Sequence, residues 1–222
     1  PLPDGAVLVV GTRCAWTPDG VVPNAALYGA DGSLRRTAVV GDGVQHLRST
    51  PTGEVWIGYS DQGIYGSLGW GRPGLAPVGH SGLVRFGTDL TLAWEFPRGD
   101  APPRISDCDA LNVDSDVWTC YYTDFPVARI DHDLVTTWPT GLVAVSALLV
   151  DQDRIASVGA QVTFAHIEGD DLRVTSTRPL ILPPEAETPG THLIGQGPSL
   201  HALTPSGDWY LADLDTLTTQ SR

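Results

Sequence analysis

Lysine is missing from this chain of 222 residues: all 13 of its basic residues are Arg. That removes Schiff-base chemistry and the lysine of a phosphate-binding loop in one step. Methionine is missing too, even at position 1. Cysteine is scarce and odd in number, at Cys14, Cys108 and Cys120. Their spacing matches no zinc pattern, and they read as buried free thiols of a reducing compartment. No apolar run is long enough to span a bilayer; the best, GLVAVSALLV at 141–150, has ten residues. There is no basic-then-apolar leader and no N-x-S/T sequon. Positive charge is short overall, with a formal net charge of −13 and a pI near 4.6. Such a surface repels phosphate backbones and anionic lipid, so nucleic acid and membranes are set aside as partners. Helical periodicity is lacking as well. What remains is an acidic soluble chain, expected in the cytoplasm, or secreted if a leader ahead of Pro1 was removed.

Turn residues are abundant, with 25 Gly and 18 Pro. They are arranged in two recurring phrases. The first is a tight turn followed by an apolar run: PDGAVLVVG (3–11), PTGEVWIGY (51–59), VDSDVWTCYY (113–122), VDQDRIASVG (150–159) and GQGPSLHAL (195–203). The second is a strand, an acidic or Gly turn, then Leu: ALYGADGSL (26–34), LVRFGTDLTL (83–92), VARIDHDLV (127–135), FAHIEGDDL (164–172) and YLADLDTL (210–217). The two alternate strictly, at roughly the 40–50-residue period of four-stranded propeller blades. The expectation is an all-β β-propeller of about five four-stranded antiparallel blades in a single domain, at about 1–42, 43–100, 101–141, 142–185 and 186–222. Runs such as AVLVV, VWI and ALLV are apolar on both faces, as suits strands stacked between neighbouring blades. The last strands, SLRRTAVV, LRVTSTRP and TLTTQSR, carry Arg and Thr and read as exposed rim edges. Trp56 and Trp118 occupy matching places and read as inter-blade packing. The first copy begins at its own turn, so the first blade lacks its innermost strand; either a segment ahead of Pro1 was removed or the C-terminal end closes the ring there, and the missing Met and abrupt PLPDG start favour the first.

The pattern x-x-G-x-V-W-I-G resembles the repeat of bacterial regulator-type propellers, relatives of the NHL and quinoprotein-like families. GDGVQHLRSTPTGEVWIGYSDQGIYG, LGWGRPG and ISDCDALNVDSDVWTCYYTDFPVARI look like a group of uncharacterised actinobacterial propeller proteins. The resemblance covers residues 1 to about 135 and implies a fold without an activity.

In a propeller the loops between second and third strands, and those between blades, share the face that carries ligands. That face is rich in blades 1 to 3. TRCAWTPDGVVPN holds Cys14 and Trp16. The insertion SDQGIYGSLGWGRPGLAPVGHSG offers Asp61, Tyr65, Trp70, Arg72 and His80. YYTDFP offers Tyr122, Asp124 and Phe125. Entering strands add Asp42, Gln45 and His46, then Asp107 and Asp109. SVGAQ in blade 4 is nearly featureless. The DxD turns at 114–116, 131–133 and 151–153 lie on the opposite face and read as turn-closing side chains; none continues into a calcium loop.

Two classes of function follow. In the first the chain binds a sugar, a peptide, another small molecule or another protein through Trp16, Asp42, Asp61, Tyr65, Trp70, Asp107, Tyr122, Asp124 and Phe125, with no cofactor. In the second it is a metal-assisted hydrolase or lactonase. There Asp61, Asp107 and Asp124 hold a divalent cation and His46 is the general base, with Arg104 or Arg129 offsetting the carboxylates if no ion does. Only Asn24 and Asn112 are available as amide ligands, fewer than propeller lactonases use. A sensor or scaffold domain is a third reading.

Overall fold

The computed structural model describes residues 2–99, 101–142 and 144–219. The chain is all-β and divides into two compact units, Pro1–Cys108 and Asp109–Arg222. Five antiparallel sheets follow one another, each ordered as in the chain, which is the blade arrangement of a β-propeller. The first contains β1 (Val7–Val10), then a small outlying hairpin of β2 (Trp16–Thr17) and β3 (Gly20–Val21), then β4 (Ala25–Tyr28) and β5 (Leu34–Ala38), in the order β1-β4-β5. It has three strands, as the sequence predicts for a blade without its innermost one. The second sheet has β6 (Val44–Ser49) and β7 (Val55–Tyr59), the short helix α1 (Asp61–Tyr65), then β8 (Leu83–Phe86) and β9 (Leu92–Glu95). The third has β10 (Asp107–Val113), β11 (Val117–Tyr122), β12 (Val127–Asp131) and β13 (Leu134–Trp138). The fourth has β14 (Ala147–Asp151), β15 (Arg154–Val158), β16 (Gln161–Glu168) and β17 (Asp171–Pro179). The fifth has β18 (His192–Gln196), β19 (Ser199–Leu203), β20 (Trp209–Asp213) and the helix α2 (Leu214–Thr219).

The central strands are apolar on both faces because both faces are covered. In the second unit Ala110, Trp118, Cys120, Val127 and Trp138 of the third sheet pack on Leu148, Val150 and Ile155 of the fourth. The opposite face of the fourth, with Leu149, Ala156, Val158 and Phe164, meets Leu200 of the fifth. Each such Leu or Val contributes about 1.5–3 kcal/mol on burial. Trp56 and Trp118 are both buried, as their repeated position predicts. Each has an Arg directly across the ladder, Arg85 and Arg129, with the guanidinium carbon 5.7 Å from the ring centre. Arg129 is also paired with Asp116 at 2.8 Å, so it serves a DxD turn and not the loop carboxylates.

Two stretches depart from their expected form. AVLVV is not buried on both faces: Val7 and Val9 are 45% and 54% exposed, while Leu8 and Val10 are half buried. Among the described residues β1 is an edge strand with β4 as its only partner, and its Val7/Val9 face has no covering sheet. At the other end, TLTTQSR does not open as a rim strand. Residues 214–219 form α2, and the rest of the stretch lies outside the described residues. The Asp213 carboxylate accepts the Thr216 amide at 2.6 Å, an N-cap bond, and Leu214 and Leu217, one turn apart, bury into the core of the fourth and fifth sheets. Among the described residues β20 is an edge strand of its sheet, with Trp209 64% and Leu211 63% exposed.

One buried side chain ties three sheets of the second unit together. Asn112 is 0% exposed. Its amide donates to the carbonyls of Leu148 (2.7 Å) and Gly197 (2.8 Å), and its carbonyl accepts the Gly197 amide (2.9 Å). Losing it orphans buried backbone groups on the fourth and fifth sheets. Asn112→Ala is expected to destabilise the chain by about 3 kcal/mol, read as a lower urea midpoint; a loss under about 1 kcal/mol would show that water replaces the carboxamide.

Candidate functional site

The first unit builds its loop face around a buried carboxylate. Asp42, in the loop entering β6, is 1% exposed. It accepts Arg13 Nε at 2.9 Å and a second Arg13 nitrogen at 3.1 Å, the Cys14 amide at 2.8 Å and the Ser67 hydroxyl at 2.6 Å. Burial works to raise its pKa, but the Ser67, Cys14 and Arg13 donors together hold it below the ordinary carboxylate value. The same burial, with the Asp42 charge beside it, pushes the Cys14 thiol up and keeps it protonated.

This knot fastens the long insertion to the first sheet. Trp70 donates its indole N–H to the Cys14 carbonyl at 2.6 Å, and the Trp16 amide bonds the Leu68 carbonyl at 2.9 Å. Arg72 lies over the Trp16 ring at 6.0 Å. Gly69 has φ +96°, and a Cβ there would stand 2.3 Å from the Trp16 carbonyl oxygen, so only glycine fits. Asp42, Trp16 and Trp70, all expected from sequence to meet ligand, therefore use their polar groups to hold loops together. Trp16 and Trp70 keep partly exposed rings; Asp42 keeps no free face.

The groups left at the surface of this platform gather around Asp107. Asp61 opens α1 with its side chain exposed, and the Asp61 backbone N–H and the Gln45 side chain lie near enough to Asp107 to work against the rise in its pKa. Asp107 Oδ1 is buried and has no hydrogen-bond partner among the described residues. Burial is the main cause of a raised Asp107 pKa, and the Asp61 charge adds to it. Tyr65, 66% exposed, donates its hydroxyl to Ser106 Oγ at 2.8 Å. His46 sits half buried on β6 opposite Gly58.

In the second unit the four-residue loop after β11 carries the remaining residues. Tyr122 is exposed, with its ring 5.8 Å from that of Phe125, and its amide bonds Asp109 Oδ2 at 2.8 Å. Asp124 and Phe125 are both left-handed, with φ of 67° and 49°. Two consecutive non-glycine residues in that region store strain that the surroundings must hold. Thr140 does so by donating to the Phe125 carbonyl at 2.6 Å, and Phe125 also packs on the buried core. Among the described residues no group of three or more His, Cys, Asp or Glu side chains is gathered closely enough to hold an ion. Of the three carboxylates expected to share a cation, Asp61 and Asp107 belong to the first unit and Asp124 to the second.

A feature that the sequence hides lies beside SVGAQ. A groove of about 530 Å³ opens there on the fourth sheet. Its described lining is uncharged, and the stretch beside it is mostly Gly, Ala and Ser, which is why it looks empty when read as letters.

No protein-family model matches the sequence, and no curated protein matches it. Among solved structures the chain is similar to a protein of unknown function from Bacteroides caccae, at 12% identity over 93% of this chain and 64% of that one, with a TM-score of 0.48. It is similar to apo AztD from Citrobacter koseri at 11% identity, over 99% of this chain and 57% of that one, TM-score 0.47. A chain of a mitotic checkpoint complex is similar at 13% identity, over 90% of this chain and 73% of that one, TM-score 0.43. The chain thus spans less than two thirds of the first two structures, and likenesses at this level carry no information on activity. No helix among the described residues is long and apolar enough to cross a membrane.

Asp42 and Asp107 are displaced in opposite directions, and their neutral variants should separate accordingly. A lowered carboxylate stabilises the fold above its unfolded pKa and loses that contribution as pH falls through its folded value; a raised one costs stability as pH rises past about 4. Asp42→Asn should lower the melting temperature at pH 7. Asp107→Asn should raise it at pH 7 and leave it unchanged below about pH 3.5. Thermal melts at pH 7 and pH 3.5 check both, and a destabilised Asp107→Asn at pH 7 contradicts the raised pKa.

Proposed function

We propose that this chain is a binding module that takes a ligand on the loop face of its first unit, at the surface formed by Asp61, Tyr65 and Asp107 with the ring edges of Trp16 and Trp70. The observation that carries this reading is the fastening of the insertion. A loop built only to connect β7 to β8 has no need of a buried carboxylate accepting four hydrogen bonds, nor of an indole bond and a backbone bond to the first sheet's loop. A loop that must present side chains in fixed positions does, because pre-ordering lowers the entropy lost on binding. The exposed Tyr65 ring beside two carboxylates suits an amine or a sugar: the ring supplies a face for a cation or a C–H patch, and the carboxylates accept N–H or O–H donors. In the second unit the held loop at Tyr122, Asp124 and Phe125 supports a second contact patch, for a small molecule, a peptide or another protein.

The Asp61–Asp107 pair favours a second reading. A carboxyl with a raised pKa and an unpartnered buried oxygen is a place where a proton or a divalent cation settles. It would then act in hydrolysis of an ester or lactone, with His46 as base.

Binding should be sought by thermal shift with monosaccharides, disaccharides and primary amines. A hit is expected to weaken at least about tenfold on Tyr65→Ala or Asp61→Asn, with the unliganded melting temperature changed little, since the Asp61 side chain is exposed and Tyr65 gives up one exposed hydrogen bond. Trp70→Ala should instead lower the melting temperature. If hits ignore Tyr65→Ala and Asp61→Asn, the site lies elsewhere. Melts with EDTA and with calcium, magnesium, manganese or zinc test the second reading, and no shift with any of them removes it.

A further inference from the structure

The groove on the fourth sheet is formed by Gly141, Leu142, Ala144 and Val145 on one side and the β15–β16–β17 surface on the other. Three hydroxyl residues stand in a row across that surface, because Ser157 pairs with Thr163 and Thr163 with Thr177 in register. Thr163 and Thr177 bond each other at 3.2 Å. Ser157 is different. It is only 5% exposed, it lines the groove, and its hydroxyl bonds nothing among the described residues. The hydroxyl oxygen itself keeps contact with solvent, so water satisfies it until a ligand takes that place. Here the open side of that hydroxyl is the groove.

The walls are fixed. Gly159 lies so close to the Ala144 carbonyl oxygen that a Cβ would stand 2.3 Å from it, and Ala144 itself is left-handed, with φ 52°. The Ser146 amide bonds the Val158 carbonyl at 2.7 Å, and the Leu142 amide bonds Thr140 Oγ1 at 3.1 Å. Leu142, Val145 and Val174 supply an apolar side, and Gln161 an amide at the rim. None of the described lining residues is ionisable, on a chain whose formal net charge is −13.

We infer that this groove is a binding site for an uncharged small molecule with a branched apolar body and an amide, carbonyl or hydroxyl edge, the edge bonding Ser157 Oγ. The volume of about 530 Å³ is within the roughly 300–1,000 Å³ usual for such sites. The absence of charge from the lining selects against ions, which would be desolvated there with nothing to pair with. The site lies on the fourth sheet and does not rest on the loop-face reading above.

The probe is N-acetyl-leucine N-methylamide, with N-acetyl-leucine as its anionic and leucine N-methylamide as its cationic analogue. Each is titrated into the 15N-labelled chain and followed by two-dimensional NMR. The neutral probe is expected to shift amides of 141–142, 144–146, 157–163 and 174–177 and to bind at least about tenfold more tightly than either charged analogue. The cationic analogue is the sharper control, since the acidic surface attracts it nonspecifically. Ser157→Ala should weaken the neutral probe about tenfold, the loss of one hydrogen bond, with the melting temperature unchanged or raised because no internal bond is lost. Ala160→Trp, at an exposed rim position, should block binding while leaving a folded spectrum. Failure of the neutral probe to shift those segments, equal binding of a charged analogue, or unchanged affinity in Ser157→Ala would each overturn the inference.

Discussion

Face-to-face packing of sheets brings their handover points into the interior, where backbone N–H and C=O groups have no ladder partner. In this protein buried polar side chains supply the missing partners. Asn112 does it for the second unit, joining β10, the start of β14 and the turn between β18 and β19. In the first unit Asn24 bonds the carbonyls of Gly11 and Gly41 and accepts the Val40 amide, while Asp42 closes Arg13, Cys14 and Ser67 around itself. Hydrophobic contact between sheets is non-directional and tolerates sliding. These three side chains are directional, and each sets the register of the strands and loops it touches.

The difference between an amide and a carboxylate at these places has physical sense. Asn112 must donate twice and accept once, which only a carboxamide can do. Asp42 must accept from a guanidinium, an amide and a hydroxyl, all donors, and an ionised carboxylate is the acceptor with enough lone pairs. The sequence contains just two Asn residues, and both are spent on such junctions.

The rhythm of sheets was legible because it is written in local chemistry: PDG, PTG, VDSD and VDQD are turns whatever surrounds them. The cap of α2 was also present in the letters, as Asp213 three residues before Thr216, but it was outweighed by the expectation of a fourth strand. The loop face was legible as a region, since long inserted loops stand out. Its internal bonding was not. Arg13, Ser67 and Cys14 converge on Asp42 from up to 29 residues away, and Asn112 reaches Gly197 across 85; no spacing rule joins such pairs. Ser157 was invisible for the opposite reason. A groove is made by what is missing, and Gly, Ala and Ser read as filler until a structure shows the space beside them.

The exposed Trp209 and Leu211 of β20 have a colloidal consequence. Trp209 and Leu211 sit on an open edge strand, and such an edge is a template on which further chains add by backbone pairing and apolar contact. What opposes this is like-charge repulsion between molecules, supplied by the net charge of −13. Near pH 4.6 that repulsion vanishes, and in about 0.15 M salt it reaches only some 8 Å. The acidity that composition alone reads as bland solubility is thus the counterweight to one sticky edge, and turbidity should appear first where the charge is titrated away.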